Sequence, residues 1–209
     1  MNTALGTFVT LEGGEGAGKT TNLAFVRQWL ERSSREVIVT REPGGTELGE
    51  RLRELLLHSD LPITVDAELL MIFAARADHL RRVVEPALSV GKIVVCDRFT
   101  DATYAYQGAG RGVDSRRIAA LEQWVQGGLR PDLTLLFDIP ARLGIERANR
   151  RGSPDRFEQE QIEFFERIRQ SYLAAAAREP KRIYIVDATR NRAEVETQLE
   201  TILGSYFDA

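Results

Sequence analysis

The chain has 209 residues, 43% of them hydrophobic, and a formal net charge of −3 from 28 Lys and Arg against 31 Asp and Glu. This length suits a single domain over residues 1–209, and the mild acidity gives no overall field that would attract nucleic acid or an anionic membrane. The single cysteine, Cys96, excludes an internal disulfide and a cysteine-rich zinc site. Because the sequence has neither a signal-like leader nor an apolar run of the roughly 20 residues that span a bilayer, we expect a cytoplasmic protein.

The most informative segment is residues 8–21, where an apolar, β-branched run leads into a glycine-rich loop and then into a helical pattern. This is the context in which G-x-x-x-x-G-K-[ST] binds a nucleoside triphosphate. Loop N–H groups and the helix N-terminus bind phosphate oxygens, Lys19 reaches the β- and γ-phosphates, and the Thr20 hydroxyl ligates Mg²⁺. The residues predicted to hold the nucleotide are Gly13, Gly14, Glu15, Gly16, Ala17, Gly18, Lys19, Thr20 and Thr21.

Further apolar runs alternate with helical patterns along the rest of the chain. The predicted strands after the first cover residues 36–40, 92–98, 131–138 and 181–186. The predicted helices cover residues 19–32, a segment capped by Thr46, and residues 66–90, 114–126, 140–149, 158–178 and 191–206. A polar, aromatic and glycine-rich segment, residues 99–112, is assigned to neither class. This alternation predicts a three-layer α/β/α fold with a five-stranded parallel sheet.

Charged residues follow several of these strands, at the edge of the sheet where open α/β folds bind ligands. Asp97 and Arg98 offer a carboxylate for a metal ion and a guanidinium for a phosphate, although a structural ion pair is the alternative. The chain also has more loop and helix arginines than one triphosphate needs, which favours two phosphorylated ligands. These arginines are Arg41, Arg53, Arg76, Arg98 and those of residues 147–157.

Residues 147–157 are predicted to form a short basic lid. Gly152 and Pro154 forbid a continuous helix there, and arginines surround them. Such a loop can close over bound ligands and place a guanidinium on the transferring phosphoryl group. We predict this role for Arg151 and Arg156, and with less support for Arg150; a solvated basic patch is the alternative.

Several motifs together resemble those of bacterial thymidylate kinases in order and spacing. They are GGEGAGKTT at 13–21, REPGG at 41–45, DRF at 97–99 and AYQGAGRG at 105–112, extended by RPDLT at 130–134 and DRFEQE at 155–160. The resemblance covers nearly the whole chain. It implies a P-loop nucleoside monophosphate kinase fold, transfer of the γ-phosphoryl of ATP to dTMP with Mg²⁺, giving dTDP and ADP for dTTP biosynthesis, and a homodimer. The implied partners are these small molecules, with no nucleic acid and no membrane.

The resemblance also assigns site residues. Glu15 is similar to the carboxylate near the deoxyribose 3′-OH, and Arg98 to the arginine that holds the dTMP phosphate beside the γ-phosphate. Arg76 and Gln107 match groups that face the thymine edge. The residues assigned to dTMP in this way are Glu15, Glu42, Arg53, Arg76, Arg98, Thr103 and Gln107. The predicted catalytic residues are Lys19, Arg98, Asp97, Glu15, Arg151 and Arg156, and the predicted metal ligands are Thr20 and Asp97.

One position departs from the family pattern. Where relatives place an aromatic ring that stacks on thymine, this chain has Ile72, followed by Phe73. Neighbouring residues on a helix point about 100° apart, so Phe73 either stacks on the base after a small rotation or belongs to the core. We include it among the predicted dTMP-binding residues. His58 and His79 are isolated in helical patterns, and we predict neither as a ligand or a base.

Two alternatives to thymidylate kinase activity stay open at this point. The first is a kinase for another small acceptor, such as a different nucleoside monophosphate or a deoxynucleoside. The second is an NTP-binding switch or regulatory ATPase, although the chain lacks the Asn-Lys-x-Asp signature of Ras-type GTPases. Acceptor-dependent release of ADP distinguishes the three.

Overall fold

The structure, a computed structural model, describes residues 6–150, 156–158 and 160–207. Its strands form one sheet of five parallel strands in the order β2-β3-β1-β4-β5. These strands are β1 (Thr7–Glu12), β2 (Val37–Arg41), β3 (Ile93–Asp97), β4 (Leu133–Asp138) and β5 (Ile183–Asp187). Because all the strands are parallel, their carboxyl ends lie along one edge of the sheet.

Helices connect the strands and cover both faces of the sheet, which confirms the predicted three-layer α/β/α fold. They are α1 (Lys19–Leu30), α2 (Glu47–His58), α3 (Val65–His79), α4 (Glu85–Ser89), α5 (Thr100–Thr103), α6 (Ser115–Gln126), α7 (Ala141–Asn149), α8 (Ile162–Arg178) and α9 (Arg192–Phe207). None of the helices in these described ranges is long and apolar enough to cross a bilayer.

Burial on both faces explains why the strands are continuous apolar runs in the sequence. In β1, Val9 and Leu11 pack in a core cluster with α1 and α9, whereas Phe8 packs on the opposite face with Leu80 and Val84. All of these side chains are completely buried. The sheet is therefore a rigid platform, and its carboxyl edge carries the loops that matter for function.

Two helical segments differ from the prediction. The helix predicted over 66–90 is continuous but contains a π-helical segment, Leu80–Val84, between α3 and α4. Residues 99–112, assigned to no element, contain α5 and then the π-helical segment Tyr104–Gly110. This second segment is packed against α8 and buries Ala105, Tyr106 and Gln107. Because this segment does not have a distinct polar face opposite an apolar one, its sequence does not show the helical periodicity of an amphipathic helix.

Candidate active site

The glycine-rich loop between β1 and α1 approaches neighbouring backbone so closely that side chains do not fit. A Cβ at Gly13 would lie 2.4 Å from the carbonyl oxygen of Phe137, and one at Gly16 would lie 1.9 Å from that of Gly144. Both glycines also have positive φ angles, 140° and 66°, which favour glycine. The spacing of glycines in the motif therefore follows directly from the tertiary packing of this loop.

Lys19, the first residue of α1, folds back over the loop. Its Nζ donates to the carbonyl oxygens of Gly13 at 2.8 Å and Gly14 at 3.1 Å. Burial and the nearby Arg98 guanidinium together lower the pKa of Lys19 to about 8, against the opposing effect of Glu15. A polyphosphate in this loop would supply the negative charge that favours the protonated ammonium.

A cavity of about 280 Å³ lies at the carboxyl edge of the sheet, bounded by the phosphate loop, the ends of β2 and β3, and helices α2, α3 and α5. It brings together most of the residues predicted to hold dTMP, namely Glu15, Glu42, Arg53, Arg76, Arg98, Thr103 and Gln107. It is also lined by residues predicted for the nucleotide and the metal, namely Gly16, Ala17, Gly18, Lys19, Thr20 and Asp97. Gly13, Gly14 and Thr21 lie outside its wall.

Asp97 and Thr20 meet at this cavity from the end of β3 and the start of α1. Asp97 Oδ1 is buried and has no hydrogen-bond partner within the described part of the chain. A buried carboxylate oxygen without a donor is costly, whereas Mg²⁺ binds through one or two protein oxygens together with phosphate oxygens and water. The two side chains therefore fit the predicted metal.

Arg98 reaches the phosphate loop because its backbone turns sharply after β3, with a φ of 69°. Its Nη2 donates to Glu15 Oε1 at 2.6 Å, and its Nη1 lies 3.3 Å from the Gly13 carbonyl oxygen. The guanidinium carbon lies 4.6 Å from the centre of the Tyr106 ring, and the Tyr106 hydroxyl donates to the same Glu15 oxygen at 2.8 Å. Arg98 is thus fixed between the nucleotide loop and the acceptor side of the cavity.

Glu12, which is not among the predicted site residues, stabilises the backbone turn at Arg98 and Phe99. Its Oε1 accepts the backbone N–H of Phe99 at 2.7 Å, and its Oε2 accepts the Tyr172 hydroxyl at 2.8 Å. Burial and the nearby negative charge of Asp101 raise the pKa of Glu12 to about 7. Glu12 therefore ties the backbone beside Arg98 to α8.

At the other end of the cavity, Arg76 is held in one orientation by a buried polar network. Arg76 Nε donates to Glu42 Oε2 at 2.7 Å, and its Nη atoms donate to Gln126 at 3.2 Å and to Thr103 at 2.9 Å. His79 Nδ1 lies 2.9 Å from the second Glu42 oxygen. His79, predicted to be neither a ligand nor a base, is fully buried and helps to hold Glu42. This contact depends on the packing of α3 against the loop after β2.

Ile72 lines the cavity, but Phe73 does not. Phe73 is 2% exposed and packs in a core cluster with Leu69 and Ile118, which corrects the suggestion that it stacks on the base. Its ring instead lies 4.9 Å from the guanidinium carbon of Arg76. Neighbouring positions 72 and 73 point in different directions on α3. Because α3 packs on α6, Phe73 faces away from the cavity and Ile72 faces it.

Three further predicted residues are Arg53, Arg156 and Arg151. Arg53 donates to the Pro43 carbonyl oxygen at 3.0 Å and faces the cavity from α2. Arg156, predicted as a catalytic lid arginine, does not line the cavity: its Nε donates to the Leu56 carbonyl oxygen at 2.9 Å, and its Nη2 bonds the buried carboxylate of Glu68. Arg151 lies outside the described residues.

The family model described as thymidylate kinase matches residues 11–199. This chain belongs to the thymidylate kinase family. Relatives in the family include the thymidylate kinase of Ectopseudomonas mendocina (strain ymp), 55% identical over 205 residues that cover 98% of each chain, and that of Pseudomonas syringae pv. syringae (strain B728a), 57% identical over 204 residues and 97% of each chain.

The family match extends to three dimensions. The crystal structure of thymidylate kinase from Ehrlichia chaffeensis matches with a TM-score of 0.77 and 32% sequence identity, over 95% of this chain and 98% of that one. The resemblance drawn from the separated motifs is confirmed by these findings.

Proposed function

We propose that this thymidylate kinase family member transfers the γ-phosphoryl of ATP to dTMP, giving dTDP and ADP for dTTP biosynthesis. The predicted thymidylate kinase activity is supported by relatives of that name at 55–57% identity over nearly the full chain. One structural observation argues most directly for an acceptor: a single cavity joins the phosphate loop to a second set of cationic and polar side chains. A switch protein or a simple ATPase needs no such second set.

Phosphoryl transfer depends chiefly on positioning and on stabilisation of charge. Loop N–H groups and Lys19 would hold the β- and γ-phosphates of ATP. Arg98 lies between the loop and the acceptor side, where it would contact the dTMP phosphate and the transferring group together. Glu15 orients Arg98 through the 2.6 Å ion pair. Thr20 and Asp97 would hold Mg²⁺, which would partly neutralise the negative charge of the phosphate oxygens.

The acceptor base would lie at the buried end of the cavity. Arg76 uses three of its five N–H groups for protein partners. One of the other two would donate to a base carbonyl, and Gln107 would contact the neighbouring ring nitrogen of the base. Thr103 and Ile72 would complete this wall. Glu42, matched by the family resemblance to the phosphate side, instead holds Arg76 at this end through its 2.7 Å ion pair, whereas Arg53 would act on the phosphate side. For the lid at residues 147–157, the pairing of Arg156 with Glu68 favours an anchoring role for Arg156 and leaves Arg151 as the arginine proposed to act on the γ-phosphoryl.

The proposed homodimer is supported by an exposed apolar surface on α2, α3 and α6. Leu48 and Leu55 lie seven positions apart on one side of α2, Leu70 projects from the neighbouring α3, and Trp124 of α6 is 82% exposed. Exposed apolar side chains grouped on adjacent helices are typical of protein interfaces.

A cytoplasmic location, which the sequence favours through its single cysteine, stays a prediction.

The test is acceptor-dependent release of ADP with a panel of nucleoside monophosphates. We expect strong preference for dTMP over dCMP and over purine monophosphates, because their edges leave Arg76 and Gln107 without partners. Equal or better turnover of a purine monophosphate would show that the acceptor assignment is wrong, and ADP release independent of any acceptor would favour the switch or ATPase alternative.

A further inference from the structure

The buried carboxylate of Glu68 lies directly behind the cavity wall. Glu68 is on α3, is 1% exposed, and does not line the cavity. Its Oε1 accepts the side-chain Nε2 of Gln107 at 2.8 Å. Two guanidiniums balance its charge, because Arg156 Nη2 bonds Oε2 and Arg111 Nε lies 3.6 Å from Oε1. The buried carboxylate of Glu68 thus joins one cavity-facing amide to two arginines.

This contact fixes which way the Gln107 amide points. A side-chain amide has an accepting oxygen and a donating NH₂ group, and the two ends exchange by a half-turn about the last bond. An ionised carboxylate only accepts, so the NH₂ end of Gln107 must face Glu68. Gln107 Oε1 has no hydrogen-bond donor among residues 6–150, 156–158 and 160–207. The carbonyl oxygen is therefore the acceptor that Gln107 offers to a ligand.

The orientation matters because pyrimidine bases differ at one ring nitrogen. Thymine and uracil carry an N–H at position 3, beside a carbonyl to which Arg76 can donate. Cytosine has an unprotonated nitrogen at that position and an amino group in place of the carbonyl. An accepting Gln107 oxygen pairs with the first edge and opposes the second, and a half-turn of the amide would reverse this preference.

We propose that Glu68 is a positioning residue that sets acceptor specificity, by holding the Gln107 amide in the orientation that accepts a base N–H. This inference rests on the proposed function, since it takes the acceptor base to lie against Gln107. It assigns to Glu68 no contact with substrate. Its effect on specificity passes through the 2.8 Å hydrogen bond to Gln107, whereas Arg156 and Arg111 hold the Glu68 carboxylate in place.

The test is the Glu68→Gln variant, in which residue 68 can donate as well as accept and no longer dictates the orientation of Gln107. Because a mispaired buried polar group costs about 1–3 kcal/mol, we expect the ratio of kcat/KM for dTMP to that for dCMP to fall by roughly tenfold or more. The ratio of dTMP to dUMP should stay unchanged, since both bases carry the same N–H. General damage to the fold would lower all three together and leave both ratios as they were.

Two further variants make the comparison specific. Glu122→Gln is the matched control: this half-buried carboxylate accepts the Tyr104 hydroxyl at 2.6 Å outside the cavity, and its replacement should leave the dTMP to dCMP ratio unchanged. Gln107→Leu removes the amide itself. In that background, Glu68→Gln should cause no further change in the ratio, because the two residues act through one contact.

An unchanged dTMP to dCMP ratio in Glu68→Gln would overturn the inference while leaving the proposed function intact. Absence of dTMP phosphorylation by the wild-type protein would instead contradict the proposed function. If Glu68→Gln does not fold, hydrogen exchange in wild-type protein labelled with ¹⁵N-glutamine gives the answer. The Gln107 side-chain amide protons, identified by their loss in Gln107→Leu, should exchange slowly because of the bond to Glu68, and exchange at the rate of exposed amides would refute it.

Discussion

Replacing Arg76 by Ala should destabilise the protein as well as weaken acceptor binding. Arg76 is 1% exposed and forms an ion pair with Glu42, itself 4% exposed, at 2.7 Å. Without Arg76, the Glu42 carboxylate stays buried with His79 as its remaining ionisable partner. Removal of one member of a buried pair costs about 3–5 kcal/mol, mainly because the other charge is left uncompensated.

The packing of Arg76 adds to this loss. Its guanidinium carbon lies 4.9 Å from the ring centres of both Phe73 and Phe99, contacts that Ala cannot replace. For a domain of this size each kcal/mol lowers the melting temperature by about 2–4 °C, so we expect a fall of roughly 6–20 °C. The KM for dTMP should rise in the protein that remains folded.

The assay is thermal unfolding followed by circular dichroism, together with KM measurement well below the new midpoint. Arg53→Ala is the control, because Arg53 lines the same cavity but makes one hydrogen bond, to a backbone carbonyl; it should affect kinetics with little change in melting temperature. In the Arg76→Ala background, Glu42→Gln should recover part of the lost stability. A melting temperature for Arg76→Ala within about 2 °C of wild type, or no recovery from Glu42→Gln, would refute the electrostatic reasoning.

The remaining predictions concern charge transfer, protonation and assembly. Arg98→Ala should lower kcat by on the order of a hundredfold or more with little change in stability, and a near-normal kcat would contradict its proposed role. Since burial lowers the pKa of Lys19 to about 8 and bound phosphates favour its protonated form, ATP binding near pH 8 should take up a proton; calorimetry in buffers of different ionisation enthalpy measures this, and Lys19→Met should abolish it. The pKa of Glu12 is raised to about 7 in the folded protein, so between the ordinary pKa of a glutamate and pH 7 the folded state binds more protons than the unfolded state. The contribution of Glu12 to stability is therefore full at low pH and is lost as the pH rises through 7. Urea unfolding at pH 5 and pH 8 should show a smaller decline for Glu12→Gln than for wild type, and equal declines would count against this assignment. Leu55→Glu should shift a dimer to monomer in sedimentation velocity, whereas an unchanged sedimentation coefficient would place the interface elsewhere.

The sequence by itself determined the parts of this protein that depend on local constraints. The glycine-rich loop can be identified from the sequence because close backbone approach and positive φ angles require glycine at positions 13 and 16. The buried strands are readable because helices cover both faces of the sheet and leave continuous apolar runs. Asp97 and Arg98 were predictable as site residues because charges directly after a parallel strand lie at its ligand-binding edge.

Only the tertiary structure decided the partners of the buried polar groups. Glu12 and Tyr172 are 160 positions apart, and Glu68 and Gln107 are 39 apart; no local pattern records such pairs, because they depend on how separate elements pack. His79 resembled an ordinary helical residue for the same reason.

The tertiary structure also decided between Ile72 and Phe73, since one position on a helix turns a side chain by about 100° and the packing of α3 fixes which side faces the cavity. Arg156 makes the same point for the lid. Its sequence context shows a positive charge near a Gly-Pro loop, but the buried carboxylate of Glu68 determines where that charge lies, because burying an ion requires a partner.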